Sequence, residues 1–311
     1  MKAVIIENYG GREQLKESER EVPAITEEQV LLEIHATSIN PIDWKLREGY
    51  LKEMLPFDFP IILGWDAAGV ITEVGSKITD FNVGDRVFAR PATTNQGTYA
   101  EFVPVDQELL AKMPDEMSYE EAAAIPLAGL TAWQCLVDFS EIKKEEKVLI
   151  HAGAGGVGNF AIQIAKHFGA YVATTASKEN EEFVKSLGAD EVIDYKEQDF
   201  SEVLTDYDIV LDAVGGEVLK KSYKVLKQGG RLVSIAGQPE EEEAKKYNVK
   251  AGSHWLEPNG RQLQQLAELY TAGELKPVVG NTFDLSEQGL KDAHELSETN
   301  HARGKIVIQV K

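Results

Sequence analysis

In the first 115 or so residues of the chain, apolar and polar positions alternate in short runs punctuated by glycine and proline. Val30-Leu-Leu-Glu-Ile-His-Ala-Thr37, Gly69-Val-Ile-Thr-Glu-Val74, Asp85-Arg-Val-Phe-Ala89 and Thr98-Tyr-Ala-Glu-Phe-Val103 each read as one strand. Turn residues at this spacing predict a compact, strongly curved antiparallel β domain. Past Asp115 the pattern changes. Strand-like runs at 148–151, 172–175, 191–194, 209–213 and 231–236 alternate with helix-period stretches, the order of a parallel doubly wound sheet. The end of the chain holds a helical stretch at 260–270 and the strand Gly304-Lys-Ile-Val-Ile-Gln-Val310, expected to rejoin the first domain. The expected class is α/β: a β-rich domain over 1–120, a doubly wound domain over 121–255, and a returning segment over 256–311.

The most informative stretch is Lys147-Val-Leu-Ile-His-Ala-Gly153-Ala-Gly155-Gly-Val-Gly158-Asn-Phe-Ala-Ile-Gln-Ile-Ala-Lys166. It reads as a buried strand, a G-x-G-x-x-G turn and an amphipathic helix with Val157, Ile162, Ile164 and Ala165 on its apolar positions. That succession is the layout of a dinucleotide-phosphate cradle. Gly153 permits the tight turn, Gly155 lets backbone N–H groups approach a pyrophosphate, and Gly158 lets the helix pack closely on the strand. Ala154, Gly156 and Val157 complete the turn, and a following strand at Ala170-Tyr-Val-Ala-Thr-Thr175 supplies the context that the motif requires.

The end of that following strand bears on which nucleotide is bound. An NAD site places Asp or Glu about 20 residues beyond the first glycine to hold the ribose hydroxyls, whereas here the stretch is Thr174-Thr-Ala-Ser177-Lys178. Ser177 can donate to a 2′-phosphate and Lys178 can neutralise it, which favours NADPH, although Glu179, Glu181 and Glu182 leave open that Lys178 only decorates a solvated turn. Ala213, Val214 and Gly215 follow the fourth strand and Ile235 and Ala236 end the fifth. Small residues at these carboxyl ends leave room for the ribose and nicotinamide.

Composition excludes several classes. With 32 basic and 52 acidic residues the formal charge is −20, which repels nucleic acid and anionic lipid, and no apolar run approaches a membrane span. A cytoplasmic location is expected. The acidic run 240–243 reads as solvated surface. The lone Cys135 excludes an intramolecular disulfide and any cysteine-based zinc site, and its neighbours suggest a helix core position. His151 reads as a strand histidine with satisfied partners.

Several separated motifs stand in one order: Ser38-Ile-Asn-Pro-Ile-Asp43, Arg47-Glu-Gly-Tyr50, Leu63-Gly-Trp-Asp-Ala-Ala-Gly-Val70, Val83-Gly-Asp-Arg-Val87, Gly97-Thr-Tyr-Ala-Glu-Phe102, Pro126-Leu-Ala-Gly-Leu-Thr-Ala132, the glycine turn, Leu187-Gly-Ala-Asp190, Val192-Ile-Asp-Tyr195 and Gly304-Lys305. From end to end the chain resembles the medium-chain dehydrogenase/reductase superfamily, in its zinc-free quinone oxidoreductase, zeta-crystallin-like branch. The resemblance implies a GroES-like catalytic domain, a Rossmann NADP-binding domain, a cleft between them and a homodimer. For the dimer, the strand 230–235 or the segment 247–251 offers an edge. Zinc-dependent relatives carry cysteine where this chain has Asn40, His-Glu where it has Trp65-Asp66, and a four-cysteine lobe that it lacks. Asp66 without nitrogen or sulfur partners could not hold zinc. His294 and His301 lie in a charged stretch and read as surface or supporting residues.

The resemblance further implies that Asn40 and Asp43 line the cleft near the nicotinamide, that Thr131 contacts the cofactor, and that Tyr195 and Lys178 hold the 2′-phosphate while Arg303 or Lys305 closes over it. Trp65 would wall the pocket. Each has a plainer reading beside it: Asn40 and Asp43 as caps of a turn around Pro41, Thr131 as a helix cap, Tyr195 as a cover for the adenine. Without a metal Lewis acid, a quinone or a conjugated enone is the easier hydride acceptor. The expected activity is therefore NADPH-dependent reduction of quinones or α,β-unsaturated carbonyls, with the proton from Tyr50 or water. An enoyl-thioester reductase and an NADPH binder without turnover are the alternatives.

Overall fold

The computed structural model of the chain describes residues 1–311. It divides into two compact units: Met1–Leu130 with Pro258–Gly273 and Pro277–Lys311, and Thr131–Glu257 with Glu274–Lys276.

In the first unit β1 (Lys2–Ile6) and β2 (Lys16–Glu19) pair antiparallel. The eleven-residue β3 (Gln29–Ile39) leads into α1 (Pro41–Arg47), and the short β4 (Ile61–Ile62) returns to β1. Pro41 suits the first helical position, where its missing N–H has no intrahelical partner to lose. β3 is the spine of the larger sheet. It pairs antiparallel with β5 (Ala67–Val74) and β7 (Phe102–Asp106), while β6 (Arg86–Ala89) bridges β5 and β8 (Leu110–Lys112). α2 (Tyr119–Ala124) begins in a reciprocal box: Ser118 Oγ accepts from Glu121 N and Glu121 Oε2 from Ser118 N, both at 3.1 Å. α3 (Pro126–Trp133) follows.

The strand expected at 98–103 starts late, at Phe102. Before it the chain crosses from one sheet to the other. Tyr99 N–H donates to Leu63 O at 3.0 Å and Tyr99 O accepts from Val4 N–H at 2.8 Å. The crossing requires backbones so close that a Cβ on Gly97 would stand 2.4 Å from Gly64 O. Its consequence is that Tyr99 points into the core beside Ile5, Leu46, Trp65 and Leu290.

In the second unit strand and helix alternate: β9 (Lys147–Ile150), α4 (Gly156–His167), β10 (Tyr171–Ala176), α5 (Glu181–Ser186), β11 (Glu191–Asp194), α6 (Phe200–Val203), β12 (Tyr207–Asp212), α7 (Gly216–Ser222), β13 (Leu226–Ser234), α8 (Glu241–Tyr247) and β14 (Lys250–Ser253). All six strands are parallel, in the order β11-β10-β9-β12-β13-β14. β12 is buried along its whole length, as a central strand covered on both faces must be. β13 lies inside the sheet, so the strand 230–235 offers no edge, and β14 is the edge instead. The acidic run lies at the start of the exposed α8, with Lys245–Glu241 and Lys246–Glu243 pairs at 3.1 and 3.0 Å.

The chain ends in α9 (Gly260–Thr271), β15 (Val279–Asp284), α10 (Glu287–Glu298) and β16 (Lys305–Gln309). β16 pairs parallel with β15 and antiparallel with β3, Ile306 facing Ile39, so the chain's end is built into the first unit's main sheet. No helix is long and apolar enough to cross a membrane.

Candidate active site

In the second unit β9 runs into the glycine turn and α4. A Cβ on Gly153 would stand 2.1 Å from Thr174 Oγ1, and one on Gly158 would stand 2.3 Å from Ala152 O, so the fold itself demands glycine at both. Gly155 differs. Its Cβ would meet only Ala152 O, at 3.3 Å, which the protein could accommodate. The space in front of Gly155 is therefore left open by the fold. Beyond it the first turn of α4, at Gly156, Val157 and Gly158, presents N–H groups that helix geometry leaves without intrahelical acceptors. The cradle thus fits a dinucleotide pyrophosphate. Asn159 steadies it by donating Nδ2 to Gly155 O and Gly156 O at 2.9 and 2.8 Å, and the end of β10 holds it from the side through Ala152 N–H on Thr175 Oγ1 at 3.1 Å.

His151 is buried with Nδ1 3.2 Å from Thr175 Oγ1 and Nε2 3.0 Å from Ser222 Oγ. Burial lowers its pKa to about 4, so it is a neutral structural ring. Ala213, Val214 and Gly215 are shaped by a residue that sequence reasoning missed. Buried Asp212 accepts from Val214 N–H and Gly215 N–H at 3.0 Å and from Ser234 Oγ at 2.7 Å. Ser234 Oγ in turn accepts from Ala236 N–H and Gly237 N–H at 3.2 and 3.0 Å, so one carboxylate fixes both loops, Ile235 and Ala236 included. Ser177 is buried after β10, whereas Lys178 and Tyr195 are exposed. Lys178 pairs with Glu181. Thr131 is buried inside α3 rather than at its start, so it does not stand at the N-cap of that helix.

In the first unit the decisive feature is a buried polar ring. Asp66 Oδ2 accepts from Ser38 Oγ at 2.5 Å and Asn40 Nδ2 at 2.7 Å, and Oδ1 from Leu127 N–H at 2.7 Å. Lys305 Nζ donates to Ile39 O at 3.0 Å and Asn40 Oδ1 at 2.5 Å, and lies 3.5 Å from Asp66 Oδ2. Burial lowers the Lys305 pKa against the pull of the Asp66 charge. The expected clasp over a phosphate is therefore not what this side chain does: its ammonium is committed inside the first unit. Arg303, two residues earlier, is exposed.

Asp43 is fully buried and holds Asn40 from behind. Its Oδ2 accepts from Asn40 N–H at 2.8 Å and from Tyr99 OH at 2.7 Å. The capping role around Pro41 is thus real, and an acid with no exposed surface does not line a cleft. Burial raises its pKa to about 7, opposed by those two donors. Tyr99 OH also lies 3.1 Å from His294 Nε2, and Arg47 Nη1 lies 2.9 Å from His294 Nδ1. His294 is no surface residue: it is wholly buried, and burial beside Arg47 lowers its pKa to about 3. His301 is exposed. Tyr99, His294, Arg47 and Ser38 escaped sequence reasoning as site residues because their partners lie far along the chain. Tyr50 is exposed in the turn after α1, with its ring edge-on to Trp44 at 6.3 Å. Trp65 is wholly buried in the core, not at a pocket wall, and its indole N–H donates to Thr94 O at 3.3 Å.

These residues do not fit zinc. Trp65 offers no lone pair, the oxygens of Asn40 and Asp66 are already satisfied, and no group of three His, Cys, Asp or Glu side chains converges as a metal-holding set.

Residues 26–115 match the alcohol dehydrogenase GroES-like domain family and residues 187–308 the zinc-binding dehydrogenase family. The chain is 38% identical over 318 residues to the NADPH-dependent alkenal/one oxidoreductase, chloroplastic, of Arabidopsis thaliana, covering 99% of this chain and 79% of that protein. It is 38% identical over 319 residues to the 2-methylene-furan-3-one reductase of Solanum lycopersicum, with the same coverage. The solved quinone oxidoreductase from Coxiella burnetii superposes with a TM-score of 0.93 at 38% identity, over 100% of this chain and 99% of that one. With matches at this level along its whole length, the chain belongs to the medium-chain dehydrogenase/reductase superfamily, in its quinone oxidoreductase-like branch.

Proposed function

We propose that the protein is an NADPH-dependent, zinc-independent reductase of quinones and α,β-unsaturated carbonyls. The observation that carries this is the ring of Asn40, Asp66 and Lys305, in which a lysine ammonium takes the oxygens that a metal would need. The similar proteins named above are an alkenal/one oxidoreductase, a methylene-furanone reductase and a quinone oxidoreductase. Their named substrates share a carbonyl conjugated to a carbon–carbon double bond, which accepts hydride without Lewis-acid activation.

NADPH, when bound, supplies the hydride. The chain's own residues bind and orient. The open Gly155 turn and the first N–H groups of α4 take the pyrophosphate, and Ser177 and Lys178 take the 2′-phosphate, with Tyr195 beside it in this assignment. Asn40 Nδ2 carries two N–H donors, and Asp66 uses one. The second is assigned to the acceptor's carbonyl oxygen, where negative charge grows as hydride adds to the β-carbon or the quinone ring. A proton from Tyr50 or water then completes the reduction.

A homodimer joined through the β14 edge and a cytoplasmic location belong to the same proposal, checked by sedimentation and by cell fractionation. The charge of −20 supports small-molecule rather than nucleic-acid or membrane partners. The activity is tested by following NADPH oxidation with chelated protein against 1,4-benzoquinone, 9,10-phenanthrenequinone, methyl vinyl ketone and crotonyl-CoA.

A further inference from the structure

Lys305 reaches the ring by strand register. Ile306 faces Ile39 in the antiparallel pair of β16 and β3, which sets Lys305 against Asn40 at the end of the ladder. The preceding Gly304 makes the turn into β16 at a φ of 65°, and a Cβ there would stand 2.5 Å from Val278 O. The lysine is thus delivered by a rigid strand behind a turn that only glycine fits.

The contacts close a ring of three side chains: Asp66 to Asn40 Nδ2, Asn40 Oδ1 to Lys305, and Lys305 to Asp66. An amide is nearly symmetric in shape, and its two ends are distinguished only by what they meet. Here a carboxylate faces one end and an ammonium the other, so a flipped Asn40 would turn its oxygen to Asp66 and its N–H groups to Lys305. Both contacts would be repulsive in a buried, weakly screened place. A neutral residue at 305 would remove half of that discrimination.

We propose that Lys305 is a positioning residue for the reaction, an internal cation that fixes the Asn40 amide with its free N–H toward the acceptor, and not a ligand of the cofactor phosphate. This rests on the assignment of Asn40 to the acceptor's carbonyl. It makes the C-terminal strand a working part of the first unit's site.

The test compares wild type with Lys305→Met, reading kcat with NADPH and with NADH and, separately, the Kd of NADPH and of NADH by titration of cofactor fluorescence. Loosening the Asn40 amide is expected to lower kcat on the order of a hundredfold with both cofactors, since small misplacements of an orienting group cost about that much, while Kd for NADPH stays at the wild-type value. An unchanged kcat overturns the proposal. So does a Kd that rises for NADPH and not for NADH, the signature of a phosphate clasp. If Lys305→Met does not fold because Asp66 is left as an unpaired buried charge, the double variant Lys305→Met/Asp66→Asn removes that charge and carries the same readouts and expectations. Lys305→Ala prepared with n-propylammonium provides a readout without turnover. Its Tm is expected to rise with the amine and not with n-butanol, and equal responses to the two would refute an ammonium site. Wild type that reduces no acceptor would count against the reductase assignment, and the amine response would still decide whether position 305 needs a cation.

Discussion

Nδ1 of His294 stands 2.9 Å from Nη1 of Arg47, so the tautomer of the histidine is set by its neighbour. A guanidinium only donates, which makes Nδ1 the acceptor and leaves the proton on Nε2. Nε2–H then donates to Tyr99 OH, and Tyr99 donates to Asp43, so one direction runs through the whole chain of contacts. It ends at the carboxyl that accepts the Asn40 backbone N–H.

Tyr99→Phe removes the hydroxyl that both accepts from His294 and donates to Asp43, leaving a buried N–H without an acceptor. The expected loss is about 1–3 kcal/mol of unfolding free energy, measured by urea titration. Stability equal to wild type would show that the contacts do not form as a set.

The buried groups impose opposite pH dependences. His294 has a folded pKa of about 3 against an ordinary 6.5, so between these values the unfolded chain binds a proton that the folded one refuses. Its contribution is fully present above about pH 6.5 and drains as pH falls toward 3. Asp43, raised to about 7 from an ordinary 3.8, does the reverse. Through that window the folded chain keeps a proton that the unfolded one releases, so stability falls as pH rises toward 7 and is level above it. His294→Gln can accept from Arg47 and donate to Tyr99 without titrating. It should lose less stability than wild type between pH 6.5 and 4 in thermal melts at fixed ionic strength, and Asp43→Asn should gain on wild type as pH climbs from 4 to 7.

The glycines of the turn should separate by role. Gly158→Ala forces a Cβ to within 2.3 Å of Ala152 O and is expected to destabilise the second unit by 3 kcal/mol or more, on the order of a severe overpacking effect. Gly155→Ala should fold normally and raise the Kd of NADPH about tenfold, roughly 1.4 kcal/mol of binding, because its methyl enters the space left for the pyrophosphate. Calorimetry of both variants, with and without cofactor, checks the pair.

Lys178 is paired with Glu181, whose pKa is lowered to about 2 by Lys178 and Lys185. Glu181→Gln should free Lys178 and tighten NADPH binding severalfold without altering NADH binding. The difference should vanish near 1 M salt, where the screening length is about 3 Å. A gain shared by both cofactors would place Lys178 away from the 2′-phosphate.

What the sequence made legible was local. The strand, glycine turn and helix at 147–166 announce themselves because the phosphate cradle is one contiguous supersecondary unit, and the alternation after Asp115 declares the parallel sheet for the same reason. The polar interior of the first unit was not legible. Asp43 meets Tyr99 across 56 positions, Tyr99 meets His294 across 195, and Asn40 meets Lys305 across 265. No periodicity reports such distances, and His294 sits in a stretch whose charges look like surface. Lys305 misled for a related reason: the resemblance assigned it to the cofactor phosphate, and only the register of β16 against β3 sets it beside Asn40. Asp212 was overlooked because the small residues after it drew attention as space for ligand, whereas the acid before them sets their shape.

The most direct measurement is the rate of NADPH and NADH oxidation by metal-chelated wild-type protein with 1,4-benzoquinone and methyl vinyl ketone. Turnover that is faster with NADPH and unaffected by chelator is the predicted result. Turnover that requires added zinc, or tight NADPH binding with no reduction of any conjugated carbonyl, would contradict the account.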